Sequence, residues 1–253
     1  MVKKMIYGMP SLVEFNSILD NVNFAKSNDL KFIELNMDLP YCVNIKENEL
    51  LKYDIEFTMH ISEKINVAEL NDNLRIAYLN EAIRQIELGI TNNVRKFNIH
   101  IDSGVYFTLP DGKFFLNEKY QDIYETNLNN SCKVLNDIAK KYNIEINFEN
   151  TKIQKFTPVA IKVINNYENL GFTLDIGHNE KNKNKAFPLL NETNKIRHIH
   201  LHDYDGCSDH LTIGKGIIDF TKYQNVLKNN YIVIEVKQTN ELEESIKYLS
   251  NLS

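Results

Sequence analysis

Residues 172–203 read FTLDIGHNEKNKNKAFPLLNETNKIRHIHLHD, and this stretch contains one repeating unit of the fold. It opens and closes on short apolar runs, at 172–176 and 196–202, which are typical of buried β-strands. The polar segment NEKNKNK at 179–185 predicts a surface loop between the two runs. Two runs at this spacing leave room for a crossover helix, as parallel strands require.

The same kind of run recurs along the whole chain. The segments between the runs have helical periodicity: residues 70–90 place Leu74, Ala77 and Tyr78 on one apolar face, and residues 120–142 carry a similar stripe. The alternation predicts an α/β protein that folds as a single (β/α)8 TIM barrel. An open doubly wound sheet is the alternative, but no GxGxxG or GxxxxGK(S/T) loop follows the first run. The predicted strands are residues 5–9, 32–36, 55–60, 97–101, 144–149, 172–176, 196–202 and 231–236.

No Gly/Ser-rich linker, low-complexity tract or charge block divides the 253 residues, so we expect one domain over residues 1–253. The net charge is −5 and only four of the 29 cations are arginines, which argues against a nucleic-acid partner. No run approaches the roughly 18 apolar residues of a membrane span, and the first ten residues are too short an apolar stretch for a secretory signal. Three cysteines without CxxC spacing argue against disulfides or a thiolate zinc site. We therefore expect a cytoplasmic protein without a membrane partner.

Ionisable residues gather where the predicted strands end, which in a barrel of this kind is the edge that carries the chemistry. Glu149 and Glu235 are embedded in apolar strands, where an uncompensated carboxylate is costly. Arginine is nearly absent, so a divalent metal is the simplest counter-charge. Mixed His and carboxylate ligands suit Mn²⁺, Fe²⁺, Co²⁺ or Zn²⁺. The residues at these ends are His60, His100, Glu149, Asp175, His178, His198, His200, His202 and Glu235, each of which could instead be a hydrogen-bonded loop anchor.

His198, His200 and His202 alternate along one strand and therefore share one face. They cannot all bind one ion, because the first and third are roughly 13 Å apart along a strand. We expect the middle one, His200, to be the ligand, and the other two to be a residue of a lower barrel layer and a residue of the rim.

Five motifs in order resemble the xylose-isomerase-like superfamily, which includes sugar phosphate isomerases and epimerases and the endonuclease IV branch (AP endonuclease family 2). They are Glu149 followed by Asn, LDIGH at 174–178, HLHD at 200–203, DHLTIGKGIIDF at 209–220, and Glu235 in IVIEV. Any one of these motifs is weak evidence, but five on the expected strands are specific. The resemblance covers the chain from His60 to Glu235.

The resemblance implies that Glu149, Asp175, His200 and Glu235 bind one divalent metal (Mn²⁺, Co²⁺ or Zn²⁺). It implies that the two glutamates act as acid and base on opposite sides of a sugar or sugar-phosphate substrate. A proton then moves next to a carbonyl through an enediolate, in an isomerase or epimerase reaction. His178 is expected to contact a substrate oxygen.

Three further side chains are candidates for the substrate site. His60 and His100 end their strands at the same edge as the glutamates. Lys237 shares a strand face with Glu235 and could hold a phosphate or a carboxylate, or be a solvated rim lysine. Glu34, at the end of the second strand, either touches substrate or organises the mouth through hydrogen bonds.

The endonuclease IV branch is the alternative function, a zinc-dependent hydrolase that cuts DNA at abasic sites. This branch holds further zinc ions at positions that match His60, His100, His178 and His210. A site with two or three metal ions is therefore an alternative to the expected site with one ion. The third ion of that branch takes a DxH pair, whereas here Asp209 and His210 are adjacent. A dehydratase and a non-catalytic binding protein on the same barrel are further alternatives.

The loop at 102–116 carries several aromatic residues. We expect it to form a lid over the barrel mouth or to pack against a second subunit, which would make the protein a homo-oligomer. The Gly-Lys-Gly at 214–216 lacks the pattern of a phosphate-binding loop and predicts a tight turn.

Overall fold

A computed structural model describes residues 5–228 and 230–250, and eight of its ten strands form a closed parallel barrel in the order β1-β10-β9-β8-β7-β4-β3-β2. The predicted (β/α)8 TIM barrel is therefore confirmed. The remaining two strands, β5 and β6, pair antiparallel in the loop that follows β4. The strands are β1 Ile6–Pro10, β2 Phe32–Asn36, β3 Glu56–His60, β4 Lys96–His100, β5 Tyr106–Leu109, β6 Gly112–Phe115, β7 Glu145–Glu149, β8 Leu170–Asp175, β9 Ile196–Leu201 and β10 Tyr231–Ile234.

Helices connect the strands and cover the outside of the barrel. Side chains at the first turn satisfy free backbone N–H groups: Ser17 accepts from the N–H of Asp20, and Asn71 from that of Leu74. Within the described ranges no helix is both long and apolar enough to cross a membrane. The helices are α1 Ile18–Ser27, α2 Pro40–Val43, α3 Asp72–Thr91, α4 Leu116–Lys119, α5 Gln121–Tyr142, α6 Thr157–Asn165, α7 Ile176–Lys181, α8 Ala186–Asn191, α9 Gln224–Leu227 and α10 Thr239–Ser250, with 3₁₀ turns at Leu50–Lys52 and Phe220–Tyr223.

The buried face of α3 agrees only in part with the predicted one. Ala82 and Ile86, which continue the same apolar stripe, are buried, but Leu74 and Ala77 are exposed and Arg75 and Gln85 are buried instead. The Arg75 guanidinium donates to Asp72 on its own helix and to Ser131 on α5, and Gln85 donates to Ser62. Polar side chains that have hydrogen-bond partners thus occupy buried positions, although the periodicity of apolar residues predicts these positions to be exposed.

Each barrel strand alternates between two environments. Outward-facing residues such as Ile99, Phe148 and Ile199 are buried beneath the helices and form the apolar core. The inward-facing neighbours are polar, as with Asn98 and Asn147, whose Cα atoms pair across β4 and β7. TIM-barrel interiors are usually filled by bulky aliphatic residues. This barrel therefore carries polar side chains well below its mouth.

The hairpin of β5 and β6 has an exposed apolar surface formed by Tyr106, Phe107, Leu109 and Phe114, while Phe115 at its end is buried. The hairpin lies within the loop predicted to be a lid or a subunit contact, and both alternatives stay predictions.

Candidate metal centre and active site

The C-terminal ends of the barrel strands surround a cavity of about 340 Å³. Part of its wall is apolar, from Leu12, Val13 and Leu39. Imidazole and carboxylate groups dominate the rest of the lining. The cavity therefore combines an apolar surface with a dense group of titratable side chains, as substrate sites in enzymes commonly do.

The four predicted metal ligands meet at the floor of this mouth. Glu149 ends β7, Asp175 ends β8, His200 lies near the end of β9, and Glu235 directly follows β10. One donor atom from each lies within 4.8 Å of the others. His200 Nδ1 is 3.3 Å from Glu149 Oε2 and 3.1 Å from Glu235 Oε2. The strand register brings them together: Asp175 and His200 are Cα partners, and Val233 pairs with His200, which puts Glu235 on the same inward face.

This cluster places three carboxylates around one imidazole, and Glu149, Asp175 and His200 are shielded from solvent. Burial opposes ionisation of Glu149, but His200 and His100 outweigh it and keep the pKa of Glu149 well below its usual range. Burial likewise opposes ionisation of Glu235, and His200 and Lys237 lower its pKa. Three carboxylates around one imidazole are a donor set that suits a divalent cation.

The hydrogen bonding of the cluster also fits a metal ion. Both ring nitrogens of His200 and Glu235 Oε2 are buried, and although they have charged neighbours at 2.8 to 3.3 Å, none of these contacts among the described residues has hydrogen-bond geometry. Buried polar atoms without partners are rare in proteins and call for an explanation such as a bound ion. The residues present therefore fit a metal held by Glu149, Asp175, His200 and Glu235.

A second group shares Glu149 and adds His60 and His100, again with donor atoms within 4.8 Å. The Nδ1 atom of His60 lies 2.8 Å from the carbonyl oxygen of Ile61, so this nitrogen carries the proton. Nε2 faces Glu149 Oε2 at 3.3 Å, and His100 Nε2 lies 3.7 Å from the same oxygen. Burial lowers the pKa of His60, but the contacts with Glu149 prevail and raise it to about 9. A cation, either a proton or a metal ion, is favoured between these groups.

A third group lies on the other side of Asp175. His178 Nδ1 is 3.4 Å from Asp175 Oδ2, and His210 Nε2 is 3.4 Å from Glu235 Oε1. The Asp209 carboxylate lies beside both rings, 3.7 Å from His178 Nε2 and 3.5 Å from His210 Nδ1, and it also contacts the Lys181 ammonium at 2.8 Å. Burial raises the pKa of Asp209, but the contacts with Lys181 and the two histidines prevail and lower it to about 2. His178 and His210 thus reach the mouth as predicted, and Asp209 is shared between them and a lysine.

Lys237 and His202 each contact one of the predicted metal ligands. Lys237 lies at the mouth with its ammonium 3.2 Å from Glu235 Oε1, so in this arrangement it is paired with a carboxylate. Of the two outer histidines of this strand, one is predicted to lie in a lower layer and one on the rim, yet His202, the one nearer the mouth, is fully buried beside Asp175. The prediction of a rim residue is wrong because β8, the α7 backbone and the loop after β9 cover its ring.

Several supporting residues lie beneath the cluster. Glu34 is buried between two imidazoles, with Oε1 2.8 Å from His200 Nε2 and Oε2 2.9 Å from His198 Nε2. Asn98 donates its amide to Glu149 Oε2. Glu34 therefore organises the mouth through hydrogen bonds, one of the two predicted alternatives. It also lines the cavity, so substrate contact, the other alternative, stays a prediction. Asn98 was missed because a lone Asn in a strand gives no signal in the sequence.

The motif residues Asn150 and Asp203 have structural roles. The Asn150 side chain accepts from the backbone N–H of Asp175 at 3.0 Å and donates to its carbonyl oxygen at 2.9 Å, which ties β8 to the end of β7. The Asp203 carboxylate accepts from four backbone N–H groups of the following loop, two of them from Gly214 and Gly216. A Cβ on Gly216 would overlap Asp203 Oδ1. The Gly-Lys-Gly segment thus forms a turn around a carboxylate.

Fold and site together define a TIM barrel whose mouth carries a buried cluster of carboxylates and imidazoles. Residues 24–252 match the model of the xylose isomerase-like TIM-barrel family, and the chain belongs to that family. The uncharacterised protein MJ1614 of Methanocaldococcus jannaschii is 32% identical over 236 residues, which covers 88% of each chain.

Solved structures have the same fold. The crystal structure of a D-tagatose 3-epimerase-like protein has a TM-score of 0.78 at 23% identity, covering 98% of this chain and 96% of that one. A crystal structure of the IOLI protein with a bound zinc atom has a TM-score of 0.71 at 15% identity, also covering 98% and 96%.

Proposed function

We propose that the protein is a divalent-metal-dependent isomerase or epimerase of a sugar or sugar phosphate. The observation that carries this proposal is the convergence of Glu149, Asp175, His200 and Glu235 beside a cavity of about 340 Å³, two of whose lining residues are the two glutamates. Membership of the xylose isomerase-like family, the epimerase-like neighbour and the zinc-binding neighbour support it.

The metal, when bound, would polarise the substrate carbonyl and stabilise negative charge on its oxygen. The chain supplies the proton transfer. Glu149 and Glu235 come from strands separated by β8 and β9 in the barrel, so they approach a substrate from different sides. Both have pKa values well below the usual range, so both are ionised and able to accept a proton. One glutamate removes the proton next to the carbonyl and becomes a carboxylic acid. In an isomerisation this acid delivers the same proton to the neighbouring carbon. In an epimerisation the other glutamate, after taking a proton from solvent, delivers that proton to the opposite face of the enediolate.

The remaining groups of the mouth would bind and orient the substrate. His178 and His100 are assigned to substrate oxygens, together with His60 when that residue carries no second ion. Lys237 would leave Glu235 to meet a phosphate or carboxylate on substrates that have one. The predicted cytoplasmic location and a homo-oligomeric state accompany this proposal as untested expectations.

The test is proton exchange at the substrate carbon. Metal-loaded protein is incubated in D₂O with a panel of ketoses, aldoses and their phosphates, and isomers and deuterium uptake are measured by NMR. Glu149→Gln and Glu235→Gln are expected to fold normally but to lose turnover by at least about a hundredfold, because each removes one proton-transfer group. Glu63→Gln, an exposed residue that also lines the cavity, is the control and should keep turnover. Full activity in either of the first two variants would remove that glutamate from the mechanism, and loss of water in place of isomerisation would identify a dehydratase.

A second function is favoured by one specific observation, the group of His60, His100 and Glu149 beside the first cluster. It could hold a second ion and so suit an endonuclease IV-like hydrolase of abasic DNA. The net charge of −5 and the adjacency of Asp209 and His210, which do not form a DxH pair, argue against it. Metal analysis and a nicking assay on an abasic duplex decide: three zinc ions per chain with nicking would replace the isomerase proposal.

A further inference from the structure

His202 connects two parts of the mouth through hydrogen bonds to both of its ring nitrogens. Its Nδ1 accepts from the backbone N–H of His210 at 2.8 Å. Its Nε2 lies 3.2 and 3.3 Å from the two carboxylate oxygens of Asp175. The ring is fully buried, so water does not compete for either contact.

These contacts fix the proton on one nitrogen. The carbonyl oxygen of Asp203 also lies 3.2 Å from Nδ1 and could accept a proton from it. A proton on Nδ1 would, however, collide with the hydrogen of the His210 N–H, whose nitrogen is only 2.8 Å away. Nδ1 is therefore the acceptor, and Nε2 carries the proton that is donated to Asp175. With one nitrogen accepting and the other donating, His202 has no lone pair left for a metal ion, although it lies close enough to His178 and His210 to form a potential metal-binding group with them.

The surrounding chain is shaped to accommodate this ring. Gly177, in α7, lies against it, and a Cβ there would overlap His202 Cε1. On its other face the ring stacks on His210, with centroids 4.2 Å apart and planes 8° from parallel. His210 itself adopts a left-handed backbone conformation, φ 57°, which a residue other than Gly adopts only when its surroundings hold it there.

We propose that His202 is a positioning residue that fixes the Asp175 carboxylate and, through the backbone of His210, holds the 203–211 segment over the mouth. The proposal rests on the proposed function in so far as Asp175 is a metal ligand.

Two substitutions separate the two hydrogen bonds. The amide of Asn reaches the position of Nδ1, so His202→Asn keeps an acceptor for the His210 N–H and loses the donor to Asp175. The amide of Gln reaches the position of Nε2, so His202→Gln keeps the donor and loses the acceptor. Each variant is measured for Mn²⁺ affinity by calorimetry and for amide exchange at His210 by NMR. The amide of Ile199, in the buried strand β9, is the reference for global opening.

We expect His202→Asn to weaken Mn²⁺ binding by about 10- to 100-fold, the usual effect of losing a group that orients a ligand, with His210 exchange unchanged. We expect His202→Gln to bind Mn²⁺ within about threefold of the wild type while His210 exchange accelerates about five- to tenfold, the effect of losing one hydrogen bond. Gly177→Ala should cause both losses by displacing the ring, and alanine is the better helix former, so α7 is retained.

The proposal would be overturned if both His202 variants lost Mn²⁺ affinity and His210 protection equally, or if neither lost any. The two hydrogen bonds would then not have the two separate roles that are proposed. Gly177→Ala that behaves like the wild type would overturn the ring's placement. If wild-type protein binds no Mn²⁺ and no other divalent ion, the proposed function fails. Exchange at His210 in His202→Gln still decides whether His202 holds the 203–211 segment.

Discussion

Raising the pH should destabilise the metal-free protein through His60. Contacts with Glu149 raise its pKa from the ordinary 6.5 to about 9 despite burial. A folded-state pKa above the unfolded one adds stability that is fully present below pH 6.5 and is lost as the pH rises through about 9. The difference corresponds to roughly 3 kcal/mol, since each pKa unit is worth about 1.4 kcal/mol. Most of this stability should disappear between pH 7 and pH 9.5.

The assay is urea unfolding of chelator-treated protein at those two pH values, with His60→Asn compared with the wild type. The free-energy advantage of the wild type should shrink by roughly 2 to 3 kcal/mol between pH 7 and 9.5. Saturating divalent metal should abolish much of the pH dependence, because a cation other than a proton then faces Glu149.

His198→Asn is the matched control. His198 is also a buried histidine of the barrel interior, but burial outweighs Glu34 there and lowers its pKa. A lowered histidine pKa affects stability only as the pH falls through the pKa of the unfolded chain, about 6.5. The difference in free energy of unfolding between the wild type and His198→Asn should therefore stay constant from pH 7 to 9.5. A wild-type advantage over His60→Asn that is equal at both pH values would refute the electrostatic account of His60.

Three more predictions follow from single contacts. Glu34→Gln should weaken metal binding by about 10- to 100-fold, measured by calorimetry, because the buried carboxylate that contacts His200 loses its charge; an unchanged affinity would make Glu34 merely structural. Gly216→Ala should lower the free energy of unfolding by about 1 to 3 kcal/mol in urea titrations, because its Cβ would overlap Asp203, and a stability equal to the wild type would contradict the turn geometry. Ellman's reagent should modify one thiol of the native protein, exposed Cys207, and three after denaturation, since the other two are buried; more than one fast thiol would show that the core opens readily.

The barrel, and the end of it that carries the ionisable residues, could be predicted from the sequence because both depend on local patterns. Short apolar runs at regular spacing identify parallel strands, and a charged residue at the end of such a run must lie where parallel strands end together. Strand ends predicted a group of ionisable residues at the mouth, and the family resemblance selected Glu149, Asp175, His200 and Glu235 from it; the donor atoms of these four do converge. Their role as metal ligands stays a prediction until an ion is measured.

Where prediction failed, the deciding partners lie far away along the chain. Arg75 is buried because Ser131, 56 residues on, accepts its hydrogen bond, so the α3 face could not be read from its apolar residues alone. Likewise, His202 is buried because Asp175, 27 residues earlier, and the backbone of His210 contact its ring, so its place at the end of the strand did not reveal its burial.

Residue type and spacing along a strand are enough to predict which way a side chain faces, so the eight-stranded barrel and the side chains gathered at its mouth could be predicted without coordinates. Which nitrogen of each histidine is free, and which carboxylate it meets, depends on segments that fold together from distant parts of the chain. His202 illustrates this, because two hydrogen bonds to separate segments fix its proton and no local motif indicates either of them. The physical reason is that a hydrogen bond depends on distance and direction between atoms brought together by folding, and neither quantity is encoded in the local pattern.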